Sequence, residues 1–503
     1  MKKENITIFY DGQCVMCSSI VDTIKAQKRG TLFSVQDMHE GNLPENVTLH
    51  DIDKEIYVTD SEGTIYKNAD AVLKIADEYF STLYFTKLGR VPLIKQILTF
   101  GYTIVAKNRH FFTGDMSTLF LMKITVVLGS ILGFLMSSKL WLSERLYPLL
   151  PVYSHPPTTS SPFDYLIYCS LLVFLVSILI SPRPQKIIWS FIGTVFLVIT
   201  LDQSRMQPWV IQYLFILGTL SLFSWRKNDI DGTTNSITTL QIIIASTYFF
   251  SGLQKINMTF ITGVMPWMLQ PVTSLIPQMT LYAPLLGLCA PFVQIFFAIG
   301  LLTQKYRRIS LILAVSMHVF ILILLGPFGY NWNSIIWPWT IAMALFDIIL
   351  FKNTNEINFK KLFFEINNKV QKIILLFFII LPFLSFFNVW DSYLSSALYS
   401  GNTTEGIISI SETSKNLLPK KIQTYLFPTL NQKVYSLDPT EWSIDELNVP
   451  PYPEERIYKN LLKTICVWTN NSSSTYLHIK ERRLFNSTPE KIYGCTYLLP
   501  SKL

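Results

Sequence analysis

Apolar residues are spaced differently in three stretches of the chain. Up to about residue 112 they recur at strand or helix spacing within a polar background. From about 113 to 393 they form long continuous runs, and from about 394 polar and turn residues interrupt them again. In the first stretch Ile6, Ile8, Phe9 and Tyr10 predict a strand, Asp11 and Gly12 a turn, and SSIVDTIKAQKR a helix. Further on, EIYVTD, SEG and TIYKN predict a hairpin, and ADAVLKIADEY a helix behind it.

In the middle stretch, apolar runs near 117–137, 163–181, 187–201, 208–225, 237–253, 281–302, 309–325, 331–351 and 372–392 predict about nine membrane spans. The tail mixes β-like runs such as STYLHIK with the turn clusters NNSSS and PPYPEE. EWSIDELNVPPYPEERIYKNL predicts a helix, a proline break and a second helix. The predicted fold is multidomain, with an α/β thioredoxin-like domain (1–112) and a polytopic α-helical membrane bundle (113–352). A linker with the last span (353–393) and a small mixed or β-rich domain (394–503) follow.

Composition agrees with a membrane protein: 50% of the 503 residues are hydrophobic, 14% aromatic and only 15% charged. No cleavable signal peptide is evident in MKKENITIFYDG, so the amino terminus is expected in the cytoplasm. That orientation leaves twelve lysines and arginines in inside connections, among them Arg183, Arg226, Lys227, Arg307 and Arg308. Only Lys139, Arg145, Arg205 and Lys255 fall outside. The tail is then extracytoplasmic. The net charge of +8 follows from membrane anchoring and calls for a lipid bilayer, not nucleic acid, as partner.

Cys14 and Cys17 form a Cys-x-x-Cys where the first strand meets the first helix. Exposed N–H groups and the helix dipole favour a thiolate on Cys14, which is expected to attack, with Cys17 resolving the mixed disulfide. Zinc would need two more ligands, and His39 and His50 lack matching spacing, so no metal site is expected; two inert core cysteines are the other reading. Cys466 and Cys495 lie in the outer tail, where a structural disulfide persists, or else remain as two thiols. Cys169 and Cys289, within apolar spans, read as inert.

YDGQCVMC resembles the DCC family of thiol-disulfide oxidoreductases, named for an Asp followed by paired cysteines, over roughly residues 4–110. The resemblance implies a protein-disulfide oxidoreductase domain with a thiol/disulfide protein or a small thiol as redox partner. Thioredoxins carry a proline before the strand facing the dithiol, and HDIDKEIYV has none.

In STYFFSGLQKINMTFITG, the small residues Ser251 and Gly252 admit a close helix neighbour, and Lys255 ends the apolar run. Its amine either snorkels to the interface or, desolvated, serves as a base. This segment resembles the one that carries the catalytic lysine in the vitamin K-dependent γ-carboxylases and the wider HTTM membrane family, over roughly residues 113–350. The resemblance implies Lys255 as base, His318 in MHVFILILLGPFGYNWN as a family histidine, and a quinone or quinol as cofactor. Where those carboxylases have an Asn-His pair, this chain has Pro208 and Trp209. From spacing alone His318 is also read as a helix-packing residue.

Asp202, Gln203, Arg205 and Gln207 lie between two spans and either line a cavity with Lys255 or form an ordinary solvated loop with an Asp202–Arg205 pair; Trp209 and Asn331 are further substrate-contact candidates, Asn331 otherwise a helix cap together with Asn333. Trp337 and Trp339 read as packing or interfacial residues. Glu441, Asp445, Glu446, Glu454 and Glu455 read as solvated faces. The expected function is membrane-bound thiol-disulfide exchange coupled to a lipid-soluble, quinone-like substrate. The alternatives are a carboxylase-like enzyme and a non-catalytic transporter or scaffold that carries a redox domain.

Overall fold

In the computed structural model, residues 6–12, 14–25, 33–40, 43–44, 47–48, 55–80, 84–108, 114–153, 162–223, 230–352, 368–429, 434–470, 472–481 and 490–495 are described. His50 and the linker stretch 353–367 lie outside them. The chain forms two compact units. The first is Met1–Leu121 with Ser177–Pro184 and Trp225–Asp229; the second is Met122–Val176, Gln185–Ser224 and Ile230–Leu503.

In the first unit, β1 (Ile6–Tyr10) leads to α1 (Val15–Lys25), and β2 (Phe33–Asp37) returns parallel to β1. β3 (Tyr57–Thr59) and β4 (Ile65–Lys67) form the hairpin, and α2 (Asn68–Phe80) follows. The sheet order is β2-β1-β3-β4, with β3 antiparallel to β1. The alternation in β1 gives the sheet two apolar faces. Ile6 and Ile8 bury against Ile24, Phe33, Val58 and Ala71 on one side. Phe9 joins Met38 and Tyr57 on the other. α3 (Pro92–Asn108) completes the described part of this region.

The helical bulk comprises α4 (Gly114–Met136), α5 (Phe163–Ile180), α6 (Gln185–Leu201), α7 (Pro208–Leu222), α8 (Ile230–Gln254), α9 (Met265–Leu275), α10 (Ala283–Leu301), α11 (Gln304–Leu325), α12 (Ile336–Phe351) and α13 (Lys369–Leu375). α13 runs on through a π turn, Leu376–Ile380, and a 3-10 turn, Leu381–Phe387. Among the described residues six helical segments are long and apolar enough to cross a membrane. α6, α7 and α12 are shorter apolar helices, so the expected nine divide into six and three.

Small residues set the packing. A Cβ on Gly133 would lie 2.7 Å from the Trp209 ring, and one on Gly252 would lie 2.9 Å from the Pro291 carbonyl oxygen. α8 and α10 therefore meet backbone to backbone.

The carboxy-terminal region is mixed α/β. An antiparallel sheet of order β6-β7-β5-β8-β9 is built from β5 (Glu405–Ser411), β6 (Leu426–Pro428), β7 (Val434–Leu437), β8 (Thr475–Lys480) and β9 (Lys491–Gly494). α14 (Pro439–Leu447) and α15 (Glu455–Trp468) accompany it. Along α15, Ile457, Tyr458, Leu461, Leu462, Ile465 and Cys466 are buried, the i, i+3/i+4 stripe of an amphipathic helix. A disulfide joins Cys466 to Cys495 just past β9.

One expectation for the tail needs correction. Glu446 is buried, not solvated; its carboxylate accepts from the Leu146 and Tyr147 N–H groups and from Trp442 Nε1. The first residues of the tail help to wall a cavity among the helices.

Candidate functional site

Two sites emerge, one in each unit. In the first, β1 ends at Tyr10, the chain turns at Asp11 and Gly12, and Cys14 directly precedes α1, with its N–H donating to the Asp11 carbonyl at 3.1 Å. The Asp37 carboxylate, at the end of the parallel neighbour β2, accepts from the Gly12 and His39 N–H groups, each at 3.1 Å. His39 Nε2 lies 3.1 Å from Asp11 Oδ1. Ser18 Oγ donates to the Gly12 carbonyl and closes the turn from the helix side. The dithiol loop is thus pinned on both sides, by backbone geometry from α1 and by a carboxylate from β2.

Cys14 is buried at 1% exposure, whereas Cys17 is half-buried. This order is the reverse of the one expected for an attacking Cys14. Burial, together with the Asp37, Asp22 and Glu40 carboxylates, pushes the Tyr10 phenol up. In the sequence Asp11 reads as a turn residue and His39 only as an unmatched zinc ligand; their contact beside the dithiol is not anticipated there.

In the second unit a cavity of about 580 Å³ lies among α7, α8, α10, α11 and α12, within the range of small-molecule sites. Its walls are mostly apolar and aromatic, including Phe260, Phe297, Trp339, Phe377 and Phe378. Lys255 and His318, far apart in sequence, both line it. Lys255 Nζ donates to the Ser251 carbonyl at 3.0 Å, to Ser251 Oγ and to Gln294 Oε1 at 3.1 Å, and lies 5.9 Å from the centre of the Phe260 ring. Its hydrogen-bond partners are all neutral. His318 Nε2 lies 2.7 Å from the Tyr248 hydroxyl, which donates to Asp347 Oδ2 at 2.8 Å.

The remaining candidates do not line the cavity. Asp202 is fully buried and paired with Arg145, and its other oxygen accepts from the Leu150 and Ser204 N–H groups. Arg205 donates to the carbonyls of Leu140, Val198 and Trp141. This network holds the turn between α6 and α7; of the two sequence readings, cavity wall and loop, these contacts fit the loop, with Arg145 as the main partner of Asp202. Gln207 bonds the Ser204 and Pro450 carbonyls. Trp209 fills the groove at Gly133. Asn331 is exposed in a turn at φ 49°, and Asn333, at φ 48°, donates to the Tyr399 hydroxyl; neither caps α12.

Several cavity residues were not anticipated. Trp339, read as packing, lines the wall and donates to Gln212 Oε1 at 2.7 Å. Cys289 also lines it. Tyr393, Leu394, Ser396, Leu398 and Tyr399, following the last span, form one side. Ser396 and Tyr399 take left-handed backbone angles, φ 59° and 52°, a strained conformation held by the surroundings. Asp347 had a readable signal, a lone carboxylate in the apolar run LFDIIL.

Residues 8–115 match the family described as DCC1-like thiol-disulfide oxidoreductase. No curated protein and no solved structure matches the chain. The chain therefore carries a DCC1-like thiol-disulfide oxidoreductase domain together with several helices able to cross a membrane.

Proposed function

We propose that this chain is a multi-pass membrane thiol-disulfide oxidoreductase whose helical region binds a lipid-soluble, quinone-like ligand. The amino terminus and dithiol lie in the cytoplasm and the carboxy-terminal domain outside. The observation that carries the redox part is the Cys14-x-x-Cys17 pair at a strand-to-helix turn, within residues that match a thiol-disulfide oxidoreductase family. In the exchange, a partner disulfide is reduced to two thiols while Cys14 and Cys17 lose two electrons and two protons to become a disulfide. Cys17, the more accessible sulfur, meets the partner first, and Cys14 closes the internal bond. A protein or small thiol then regenerates the dithiol.

The ligand part is supported by a cavity of about 580 Å³ with aromatic walls and two polar groups, Lys255 and the His318 cluster. Lys255, just past the end of α8, and Tyr248, within it, both line the cavity. The reading calls for a ring with an oxygen at each end, one hydrogen-bonded to each polar group. Neutral hydrogen-bond partners around Lys255 favour a second reading, in which its amine acts as a base in carboxylase-like chemistry. Labelled bicarbonate incorporated in the presence of a reduced quinone would distinguish that reading; no labelled product removes it.

The redox reading is tested with the full-length protein in lipid nanodiscs, reducing a small aromatic disulfide with dithiothreitol as the regenerating thiol. Cys14→Ser is expected to trap the mixed disulfide on Cys17, and Cys17→Ser to abolish turnover. Equal rates in parent and Cys17→Ser reject the reading.

A further inference from the structure

Tyr248, His318 and Asp347 come from α8, α11 and α12 and form one chain of side chains. The His318 Nε2 and Asp347 Oδ2 atoms are 3.8 Å apart, so the Tyr248 hydroxyl, at 2.7 and 2.8 Å, is the bridge between them. All three residues are buried, and Tyr248 and His318 line the cavity. The chain has two open ends. His318 Nδ1 and Asp347 Oδ1 are both buried without a hydrogen-bond partner. A buried polar atom left unsatisfied is costly, and two of them at opposite ends of one connected cluster call for a cause.

The hydroxyl has one hydrogen, so the bridge can run in two directions. In one, Tyr248 donates to Asp347 and accepts from His318 Nε2–H, which leaves Nδ1 a bare acceptor. In the other, protonated Asp347 donates to Tyr248, Tyr248 donates to Nε2, and Nδ1 carries the hydrogen. Going from the second to the first shifts each proton across one hydrogen bond and releases the Nδ1 proton. The net result is that a proton held by Asp347 leaves at His318 Nδ1, with every heavy atom in place. In the loaded arrangement all three groups are neutral, which suits a hydrocarbon interior.

We propose that Tyr248, His318 and Asp347 form a one-proton relay that gives a proton to, or takes one from, an oxygen of a lipid-soluble ligand at His318 Nδ1. This rests on the reading of the cavity as a quinone-like site. A second proton needs the hydroxyl and the ring to turn first, so the relay passes one proton per ligand. The other proton of a two-electron, two-proton carrier comes from the Lys255 amine, which lines the same cavity. With two electrons from an added reductant, a bound quinone then becomes a quinol with one proton from each end.

The experiment uses the full-length protein in lipid nanodiscs with decylubiquinone as the probe. Binding is titrated first; infrared difference spectra are then recorded at saturating probe before and after reduction with dithionite. In the parent, reduction is expected to bleach a protonated-carboxyl band that shifts in D2O and is missing in Asp347→Asn. In Tyr248→Phe the band is expected to remain after reduction, because the bridge is broken. No carboxyl change in the parent overturns the relay whatever the variants do, and so does bleaching that survives in Tyr248→Phe. Failure of decylubiquinone to bind the parent saturably overturns the ligand reading of the cavity, and the relay with it.

Discussion

The Glu446 carboxylate accepts the Leu146 N–H at 2.6 Å, joining positions 300 residues apart in the chain. The same carboxylate takes the Tyr147 N–H at 3.1 Å and Trp442 Nε1 at 2.8 Å. The carboxy-terminal domain and the loop after α4 are therefore held together by one buried anion with three donors. Glu446→Ala leaves those donors without it and is expected to lower stability by about 2–3 kcal/mol. Thermal unfolding in detergent, with protease sensitivity of the tail, reads the effect; an unchanged midpoint would contradict it.

Asp202 neutralises the buried guanidinium of Arg145 and lies beside Arg205. Asp202→Ala leaves two cations in a dry site and is expected to destabilise by about 3–5 kcal/mol. Ligand binding by whatever protein still folds should be intact, since Asp202 does not line the cavity. A variant of parental stability that loses decylubiquinone binding would reverse this assignment.

A Cβ on Gly12 would stand 1.8 Å from Asp37 Oδ2. Gly12→Ala must therefore push the Asp37 carboxylate off the dithiol turn and release two hydrogen bonds. Disulfide exchange by this variant is expected to fall about tenfold or more, as for a misplaced reacting group. Double substitution with Asp37→Ala should recover part of the rate by removing the clash; a single variant with the parental rate would show that the turn tolerates the methyl group.

Glu455 gives the carboxy-terminal domain a defined acid response. Burial opposes its ionisation, but hydrogen bonds from Lys459, Lys491 and Tyr493 outweigh burial and hold its carboxyl at about 2. A carboxylate depressed on folding stabilises the protein above its unfolded value, near 4.3, and that contribution is lost as pH falls through the folded value. Stability of the parent should therefore drop between about pH 4 and 2, and Glu455→Gln should flatten that drop. Parallel acid-unfolding curves for the two proteins would exclude Glu455 as the cause.

Gly401 has φ +69°, and a Cβ there would lie 2.9 Å from the Phe260 backbone nitrogen. Asn257 Nδ2 donates to the neighbouring Ser400 carbonyl, which fixes this stretch against the start of a second π turn, Phe260–Val264. Gly401→Ala is expected to lose about 1–3 kcal/mol and to weaken ligand binding by shifting Tyr399 from the cavity wall. Parental affinity together with parental stability would refute the coupling.

Local order made the dithiol turn readable: a strand, Asp-Gly, two cysteines one turn apart and a helix follow each other within 20 residues. The apolar runs gave the helices, and the amphipathic stripe gave α15. Lys255 and His318 could be singled out only through resemblance, since a lysine at the end of an apolar run and a histidine within one also suit snorkelling and packing. Tyr248 went unnoticed because its partners, 70 and 99 residues away, become neighbours only when three helices pack. For Asp202 the sequence left cavity and loop equally open. What decides between them is a through-space partner, Arg145, 57 residues earlier. The solvated reading of Glu446 failed for the same reason, since its donors lie near residue 146.

Residues 393–399 follow the last span and close one side of the hollow among the helices. A chain that stops before residue 393 therefore keeps all six long apolar helices but carries an unfinished hydrophobic recess.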